Sequence, residues 1–263
     1  MKTTVNGNQV NYQLEGPASA PVVLLSHSLA TNLAMWDPQV DALAGRFRLL
    51  RYDTLGHGAT DAPRGPYTLD QLAEQASGLL DALAIAQVHF LGLSMGGMIG
   101  QALALAKPHR LASLLLCDTT SRIPLEAQPL WQERIRIAES EGMEPLVEPT
   151  IARWFTAPFR AARPEVIERV RAMIRETSPL GYSGCCHAIA ALDLTAVIHA
   201  IQVPAMIIVG EEDQGTPMAM SEAIHGQIAG SELLVIPSAS HLSNTEQPEA
   251  FNSAVTAFLN RVA

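Results

Sequence analysis

Short apolar runs alternate with amphipathic segments along most of this 263-residue chain. Four of the runs are almost continuously apolar: 21–26, 88–91, 111–117 and 205–210. Such runs are typical of strands that a sheet buries on both faces. The segments between them, for example 69–83, repeat their apolar residues at helical spacing. Strands that alternate with helices predict an α/β fold, a mostly parallel sheet with helices on both faces.

The N-terminal residues follow a different pattern. Residues 3–5 and 10–14 alternate apolar and polar side chains on either side of the Asn-Gly-Asn sequence at 6–8. Alternation around such a turn sequence predicts a β-hairpin. Further strands are predicted at 48–52 and 232–236, and further helices at 36–44, 98–106, 218–228 and 248–259.

The alternation of strands and helices stops between residues 121 and 186. No buried strand is predicted there, and helix-like pieces rich in arginine, glutamate and proline take its place: 129–141, 143–155, 164–177 and a segment from 179 onward. We therefore predict a helical lid at 121–186, inserted into a core that 1–120 and 187–263 form together.

The composition excludes several classes of partner. The net charge is −9 and no run of lysine and arginine occurs, which argues against nucleic acid. No apolar stretch is long enough to span a bilayer, and residues 1–8 lack the apolar centre of a signal peptide. The three cysteines show neither a disulfide pattern nor a zinc spacing. We expect a cytoplasmic protein with reduced thiols, no metal and no membrane partner, and the oligomeric state stays open.

The strongest chemical signal is Gly92-Leu93-Ser94-Met95-Gly96, which follows a predicted strand. A G-x-S-x-G sequence between a strand and a helix is the pattern of a nucleophile elbow, a sharp turn that exposes a serine at the edge of a sheet. The flanking glycines leave room where strand and helix cross closely. A serine is a weak nucleophile by itself, so this prediction requires a base and an acid that orients the base.

Two later residues supply that base and that acid. Asp213 follows the strand at 205–210, and His241 follows the strand at 232–236. The carboxyl ends of parallel strands meet at one edge of a sheet, so we predict that both residues lie beside Ser94. In the predicted roles, Ser94 attacks an acyl carbon, His241 takes its proton, and Asp213 orients the imidazole.

Other residues compete for these roles. Asp118 is the rival acid, because it ends the strand that follows the elbow helix. Asp193 is a weaker rival, because it looks like part of a helix between lid and core. Among the eight histidines, only His241 follows the last predicted strand. His27 and His57 lie in tight loops, where structural hydrogen bonding is the simpler interpretation.

The oxyanion that develops during such a reaction needs preorganised hydrogen-bond donors, and two backbone amides are candidates. Met95 directly follows the nucleophile at the start of a helix, and Leu29 lies in the loop after the strand at 21–26. We predict that the N–H groups of these two residues form the oxyanion hole.

The order of Ser94, Asp213 and His241 along the chain resembles that of the α/β-hydrolase superfamily, and the resemblance covers essentially the whole sequence. Four segments resemble one family within it, the 3-oxoadipate enol-lactonases of bacterial aromatic catabolism. They are Ser-His-Ser-Leu-Ala-Thr-Asn-Leu-Ala-Met-Trp at 26–36, Arg-Tyr-Asp-Thr-Leu-Gly-His-Gly at 51–58, Gly-Tyr-Ser-Gly-Cys-Cys at 181–186 and His-Leu-Ser-Asn at 241–244. The resemblance implies hydrolysis of 3-oxoadipate enol-lactone to 3-oxoadipate in the β-ketoadipate pathway by the same three residues, with no metal and no organic cofactor.

Two positions depart from the pattern of this family. His27 stands where such lactonases often carry Asn, and Leu55 stands where an Arg is common before Gly-His-Gly. Both positions lie in loops that shape the oxyanion hole and the edge of the sheet. They bear on fine specificity and leave the three catalytic positions intact.

The substrate that the resemblance implies is a small anionic lactone, so a cation is expected in the lid. Arg134 is the first candidate, because Trp131, Arg134 and Ala138 fall on one face of a helix. Trp154 is predicted to wall the pocket, and Ser28 to face the lactone. The competing interpretation is an ordinary amphipathic lid helix with a solvated arginine.

Other functions on this fold remain open. A serine at the elbow excludes haloalkane dehalogenases and epoxide hydrolases, which carry Asp there, but a carboxylesterase, a C–C bond hydrolase or a cofactor-free perhydrolase fits the same residues. A direct attack by water, driven by His241 with Ser94 assisting, is an alternative mechanism. Outside enzymes, the alternative is a non-catalytic binding protein, and retention of all three residues argues against it.

Overall fold

The computed structural model describes residues 1–263, and one eight-stranded sheet runs through its centre. Its strands are β1 (Lys2–Val5), β2 (Asn8–Glu15), β3 (Val22–Ser26), β4 (Arg48–Tyr52), β5 (Val88–Leu93), β6 (Leu111–Cys117), β7 (Ala205–Gly210) and β8 (Glu232–Ile236). They lie side by side in the order β1-β2-β4-β3-β5-β6-β7-β8. The β1–β2 and β2–β4 pairs are antiparallel, and every other pair is parallel. The hydrophobic pattern predicted each of these strands, and the α/β fold class is confirmed.

Eleven helices accompany the sheet: α1 (Asp37–Leu43), α2 (Leu69–Ala82), α3 (Met95–Ala106), α4 (Gln128–Glu141), α5 (Glu144–Trp154), α6 (Ala157–Ala162), α7 (Pro164–Glu176), α8 (Pro179–Ala190), α9 (Met218–His225), α10 (Ser243–Glu246) and α11 (Pro248–Val262). Helix α2 packs on α3 and helix α1 packs on α11, and helices cover both faces of the sheet. The sequence pattern missed α6 and α10, because helices of six and four residues are too short to show a helical period. No helix of the chain combines the length and the apolar character that crossing a membrane requires.

Five helices, α4 to α8, separate β6 from β7 and form a helical insertion. The two segments that connect it to the sheet lie side by side, and we call this pair, 121–123 and 192–194, the neck. Ile123 N–H donates to the Leu192 carbonyl at 2.9 Å, and Leu194 N–H donates to the Ser121 carbonyl at 2.8 Å. The predicted end of the lid at 186 falls inside α8. We therefore propose that the insertion ends at the neck.

One face of α8 is docked on the sheet domain by contacts that require glycine. A Cβ atom on Gly56 would lie 2.3 Å from the Cα atom of Gly181, far inside van der Waals contact. A Cβ atom on Gly184 would lie 2.7 Å from the ring of Tyr67. The Gly-Tyr-Ser-Gly segment in the first half of α8 therefore fixes this end of the insertion to the loops of the core.

Candidate active site

Ser94 lies in the turn that joins β5 to α3, with backbone angles φ 56° and ψ −115°. A positive φ is unfavourable for a residue that has a Cβ atom, so the surrounding packing must hold this turn. A Cβ atom on Gly92 would lie 2.3 Å from the carbonyl oxygen of Gly96, and one on Gly96 would lie 2.0 Å from that of Ser26. The two glycines of the motif therefore allow strand and helix to cross, and the serine is presented at the carboxyl edge of the sheet.

The structure brings the three predicted residues into one hydrogen-bonded chain. Ser94 Oγ lies 2.9 Å from His241 Nε2, and His241 Nδ1 lies 3.0 and 2.9 Å from the two carboxylate oxygens of Asp213. A carboxylate only accepts hydrogen bonds, so Nδ1 carries the imidazole proton and Nε2 is the acceptor that faces the serine. All three side chains are buried, and Ser94 is 8% exposed. General-base activation of a serine requires this arrangement.

The surroundings of Asp213 keep its carboxylate ionised. Burial by itself would raise the pKa of Asp213, but the imidazole of His241 and hydrogen bonds from Thr216 outweigh burial and lower this pKa. Thr216 donates its N–H at 3.0 Å and its hydroxyl at 2.7 Å, and Gly215 donates its N–H at 2.7 Å. Asp213 is therefore held in place by donors that leave both oxygens in contact with His241.

The rival acids occupy other positions. The carboxyl of Asp118 accepts the Gly210 N–H at 2.8 Å and lies 2.5 Å from the Ser243 hydroxyl, and it makes no hydrogen bond with the imidazole. Burial and the nearby charge of Asp213 raise the pKa of Asp118 well above its usual range. Asp193 lies exposed in the neck, outside any helix. The geometry therefore favours Asp213 as the partner of the histidine.

The loop after β3 presents the Leu29 amide to the same edge of the sheet. The Ser28 carbonyl accepts hydrogen bonds from His27 Nδ1 at 2.7 Å, from Thr31 N–H at 3.3 Å and from the Thr31 hydroxyl at 2.8 Å. In a trans peptide the C=O and N–H groups point in opposite directions, so the Leu29 N–H points away from this cluster. Neither this N–H nor that of Met95 donates to an acceptor in the protein. Both amides therefore lack a partner within the protein, which the predicted oxyanion hole requires.

Two buried histidines brace this loop against the loop that follows β4. His27 Nε2 accepts the Thr54 N–H at 3.0 Å, and His57 Nε2 accepts the Ala30 N–H at 3.0 Å. Each ring therefore holds an amide of the other ring's loop. Burial lowers the pKa of His27 to about 4 and the pKa of His57 to about 3, so both rings are neutral acceptors at neutral pH. The sequence indicated a structural role for these two histidines. That role includes holding the amide of Ala30, the residue next to Leu29.

These two histidines are expected to make the fold sensitive to acid. Their pKa values fall on folding, so between pH 6.5 and pH 4 the unfolded chain binds protons that the folded protein excludes. The free energy of unfolding therefore decreases as the pH falls through this window, by roughly 3 kcal/mol for each histidine at pH 4. We expect His27→Asn to flatten the slope of unfolding free energy against pH, measured by urea titration from pH 7 to pH 4.

The matched control for this slope is His109→Gln, since His109 is exposed and its removal leaves the buried pair intact. A His27→Asn variant whose slope equals that of the unchanged protein would contradict the assignment. The slope is the informative quantity, because it separates loss of a titrating group from a general loss of packing.

A cleft opens between the sheet edge and the helical insertion, over Ser94 and His241. Leu29 lines it from the core, whereas Met95 is fully buried beneath it. All of the substrate-binding residues predicted from the sequence line this cleft: Ser28, Trp131, Arg134 and Trp154.

These lining residues have different surroundings. The Arg134 guanidinium lies over the ring of Trp131, 4.6 Å from the ring centre. The Trp154 ring covers the imidazole of His241, with ring centres 6.0 Å apart. The Ser28 hydroxyl is fully buried and has no hydrogen-bond partner in the protein. An unpaired buried hydroxyl is costly, so a polar atom of a ligand is its natural partner.

Sequence reasoning missed five polar residues of the cleft: Thr150, Arg153, Tyr182, Gln214 and Thr216. Tyr182 stands inside the Gly-Tyr-Ser-Gly-Cys-Cys segment, which is the signal that could have identified it. Arg153 directly precedes Trp154, but neighbouring helix positions point in different directions, so the prediction for Trp154 did not extend to it. No sequence signal distinguishes it from the other arginines of the insertion.

The cleft offers no metal site. No group of three or more His, Cys, Asp and Glu side chains in the chain is placed to hold a metal ion. Besides the imidazole of His241 and the indoles of the two tryptophans, the polar side chains of the cleft carry hydroxyls, an amide and two guanidiniums. These groups suit a small ligand that carries oxygen atoms and negative charge.

Known hydrolases resemble this chain along most of its length. Residues 21–248 match the family model of the alpha/beta hydrolase fold. A 3-oxoadipate enol-lactonase of Acinetobacter baylyi is 38% identical over 262 residues, which are 99% of this chain and 97% of that protein. The crystal structure of the enol-lactonase from Burkholderia xenovorans superposes with a TM-score of 0.96 at 41% identity, over 99% of this chain and 100% of that one. A thermophilic esterase from Thermogutta terrifontis, solved with malate bound, superposes with a TM-score of 0.94 at 30% identity, over 100% of this chain and 98% of that one.

The family model covers most of the sequence, and the two enol-lactonases match the chain from end to end. The match includes the sheet, the elbow and the insertion, so the similarity is not confined to one motif. This chain therefore belongs to the α/β-hydrolase fold family, as a hydrolase similar to the 3-oxoadipate enol-lactonases.

Proposed function

We propose that the protein is a serine hydrolase that opens 3-oxoadipate enol-lactone to 3-oxoadipate in the catabolism of aromatic compounds. The observation that carries this proposal is the hydrogen-bonded chain of Ser94, His241 and Asp213 below a cleft whose opposite wall holds an arginine. The end-to-end similarity to enol-lactonases supports the choice of this lactone among the substrates of hydrolases. The reaction is proposed to need no metal and no organic cofactor, and to take place in the cytoplasm.

Ring opening begins with attack of Ser94 Oγ on the lactone carbonyl carbon, while His241 Nε2 takes the hydroxyl proton. We assign the stabilisation of the oxyanion to the N–H groups of Leu29 and Met95, because neither group has an acceptor within the protein. The ring C–O bond then breaks, and His241 gives its proton to the leaving oxygen. The released enol becomes a ketone, so this leaving group is a good one.

Hydrolysis of the acyl-enzyme completes the cycle. Water attacks the acyl carbon while His241 takes one of its protons, and the bond from that carbon to Ser94 Oγ breaks as His241 returns a proton to the serine. Asp213 holds the imidazole in the required tautomer and stabilises the imidazolium that forms in both steps. The product leaves with a second carboxylate.

Arg134 is the residue that we assign to the carboxylate that the lactone already carries. Its guanidinium lines the cleft, lies against Trp131 and forms no ion pair with an acid of the protein. A guanidinium that is not paired within the protein suits a carboxylate, because it donates two parallel hydrogen bonds. The unpaired hydroxyl of Ser28 is the corresponding polar contact on the core side.

Replacement of Arg134 tests the proposed substrate. In Arg134→Gln we expect KM for the enol-lactone to rise about 10- to 100-fold, the effect of losing a charge-assisted hydrogen bond, with hydrolysis of the neutral ester p-nitrophenyl acetate unchanged. Ultraviolet absorbance follows both reactions. Arg136→Gln is the matched control, because Arg136 is exposed on the same helix and its guanidinium is already paired with Glu133 at 2.8 Å.

A carboxylesterase is the second candidate, and the similarity to the thermophilic esterase supports it. The apolar part of the cleft, which includes Met98, Ile123, Leu130 and Met220, would accommodate the acyl chain of an ester. Rapid hydrolysis of p-nitrophenyl acetate by a protein that leaves the lactone unchanged would favour this candidate and contradict the lactonase proposal.

A further inference from the structure

A second guanidinium shares the cleft with Arg134. Arg153 lines the cleft from the last turn of α5, and its side chain forms neither an ion pair nor a hydrogen bond with the protein. Most other arginines of the insertion are paired with acids, for example Arg171 with Glu148 at 2.6 Å. Arg160 and Arg169 also lack an acidic partner, but neither lines this cleft. Two guanidiniums without acidic partners in one cleft indicate that acidic groups of a ligand bind there.

The backbone places Arg153 beside the proposed catalytic base. The Ser240 hydroxyl donates to the Arg153 carbonyl at 3.1 Å, and the Leu242 N–H donates to the Trp154 carbonyl at 3.3 Å. The end of α5 is thus tied to both residues that flank His241. Arg134 comes from a different helix, α4, so the two guanidiniums reach the cleft from separate elements.

The environment of Arg153 disfavours its positive charge. Burial, followed by the charge of Arg134, lowers the pKa of Arg153 to about 10, and Tyr182 and Asp213 offset only part of this effect. Two cations that are partly removed from water repel each other. A ligand with two negative groups would relieve that repulsion and replace the lost hydration.

We propose that Arg134 and Arg153 form a site for two carboxylates of one ligand. The size of that ligand, a linear dicarboxylate such as adipate, and the assignment of its ends rest on the proposed function: Arg134 binds the carboxylate that the lactone carries, and Arg153 binds the carboxylate that hydrolysis creates. In that step the bond between Ser94 Oγ and the acyl carbon breaks and a bond to the oxygen of water forms. One proton of water reaches Ser94 through His241, and the new acid releases the other to solvent.

The site has a direct consequence for product binding. The lactone carries one negative charge and its product carries two, so the substrate engages one guanidinium and the product engages both. We therefore expect the protein to bind a dicarboxylate more tightly than a monocarboxylate of the same length, and its reaction to be inhibited by its own product.

Binding calorimetry with adipate and hexanoate tests the site, because these acids have the same chain length and differ by one carboxylate. We expect the unchanged protein to bind adipate at least 10-fold more tightly than hexanoate, since one charged hydrogen-bonded pair contributes about that much or more. In Arg153→Gln, adipate binding should fall about 10-fold, and hexanoate binding should change less than about twofold. The control Arg136→Gln should leave both affinities unchanged.

Two results would overturn the proposal. One is equal affinity of the unchanged protein for adipate and hexanoate. The other is an equal loss of affinity for adipate and for hexanoate in Arg153→Gln together with a lower melting temperature, which would reveal a purely structural role.

If Arg153→Gln does not fold, Arg153→Lys provides the same test. This variant keeps the charge but loses the paired hydrogen bonds, so it should bind adipate more weakly and hexanoate as before. Because the assay measures binding and not turnover, a preference for adipate without lactonase activity would contradict the proposed function and leave the site intact.

Discussion

Replacement of Ser94 by alanine is expected to lower kcat for the enol-lactone by about four orders of magnitude or more and to leave KM within a few fold. The variant loses the atom that attacks the carbonyl, whereas the oxyanion donors and the lining of the cleft stay in place. Those remaining groups still bind the lactone and support a small residual rate. The measurement is the loss of lactone absorbance at saturating substrate.

The control for this variant is Ser221→Ala. Ser221 is fully buried, and its hydroxyl has no hydrogen-bond partner, so its removal changes neither the site nor the hydrogen bonds of the core. If Ser94→Ala kept a tenth or more of kcat, direct attack by water with Ser94 assisting would be the better mechanism. An acyl group found on Ser94 by mass spectrometry in His241→Ala would support the covalent path.

Asp213→Asn is expected to lower kcat by about three to four orders of magnitude. An asparagine amide offers a donor where the imidazole needs an acceptor, so His241 is driven towards the tautomer that carries its proton on Nε2, facing Ser94. The variant also loses the charge that stabilises the imidazolium. Steady-state kinetics with the lactone, alongside a melting temperature, separates this effect from a loss of folding.

Asp118→Asn is the matched comparison, because this acid is equally buried and ends a neighbouring strand. Burial and the charge of Asp213 raise the pKa of Asp118, and an amide of the same shape can accept the Gly210 N–H and donate to the Ser243 hydroxyl. We expect kcat/KM within about 10-fold of the unchanged protein. A large loss in Asp118→Asn with little loss in Asp213→Asn would reverse the assignment of the acid.

The sheet and its catalytic edge were predictable because the hydrophobic pattern of each strand lies within the strand itself. Buried parallel strands are apolar throughout, and the residues that follow them necessarily share one edge. The start of α3 was less visible: the prediction began at residue 98, but the helix begins at Met95. Gly96 and Gly97 have poor helical propensity, and it is the packing of this segment on the sheet that makes them helical.

The lid side of the site was only partly predictable, because it depends on how the insertion folds back over the sheet. Trp131 and Arg134 share a helix face, so their spacing alone placed them together. Arg153 reaches the cleft through contacts between α5 and the loop around His241, which are almost ninety residues apart in the chain. No local pattern encodes such a contact. The roles of His27 and His57 depend in the same way on how the loop after β3 packs against the loop after β4. Ser28 belongs to the first of these loops.

The neck makes the insertion an exchangeable unit. Its two segments, 121–123 and 192–194, lie side by side, so the sheet domain accepts the whole insertion as it would a single surface loop. A helical segment of another length and sequence could be spliced in at these points while the nucleophile, the base and the acid stay in the unaltered sheet domain. Gly56 sets one condition on such a chimera: the incoming segment must place a glycine where Gly181 now lies. Selectivity for the acid groups of a substrate could thus be transplanted between relatives independently of the hydrolytic machinery.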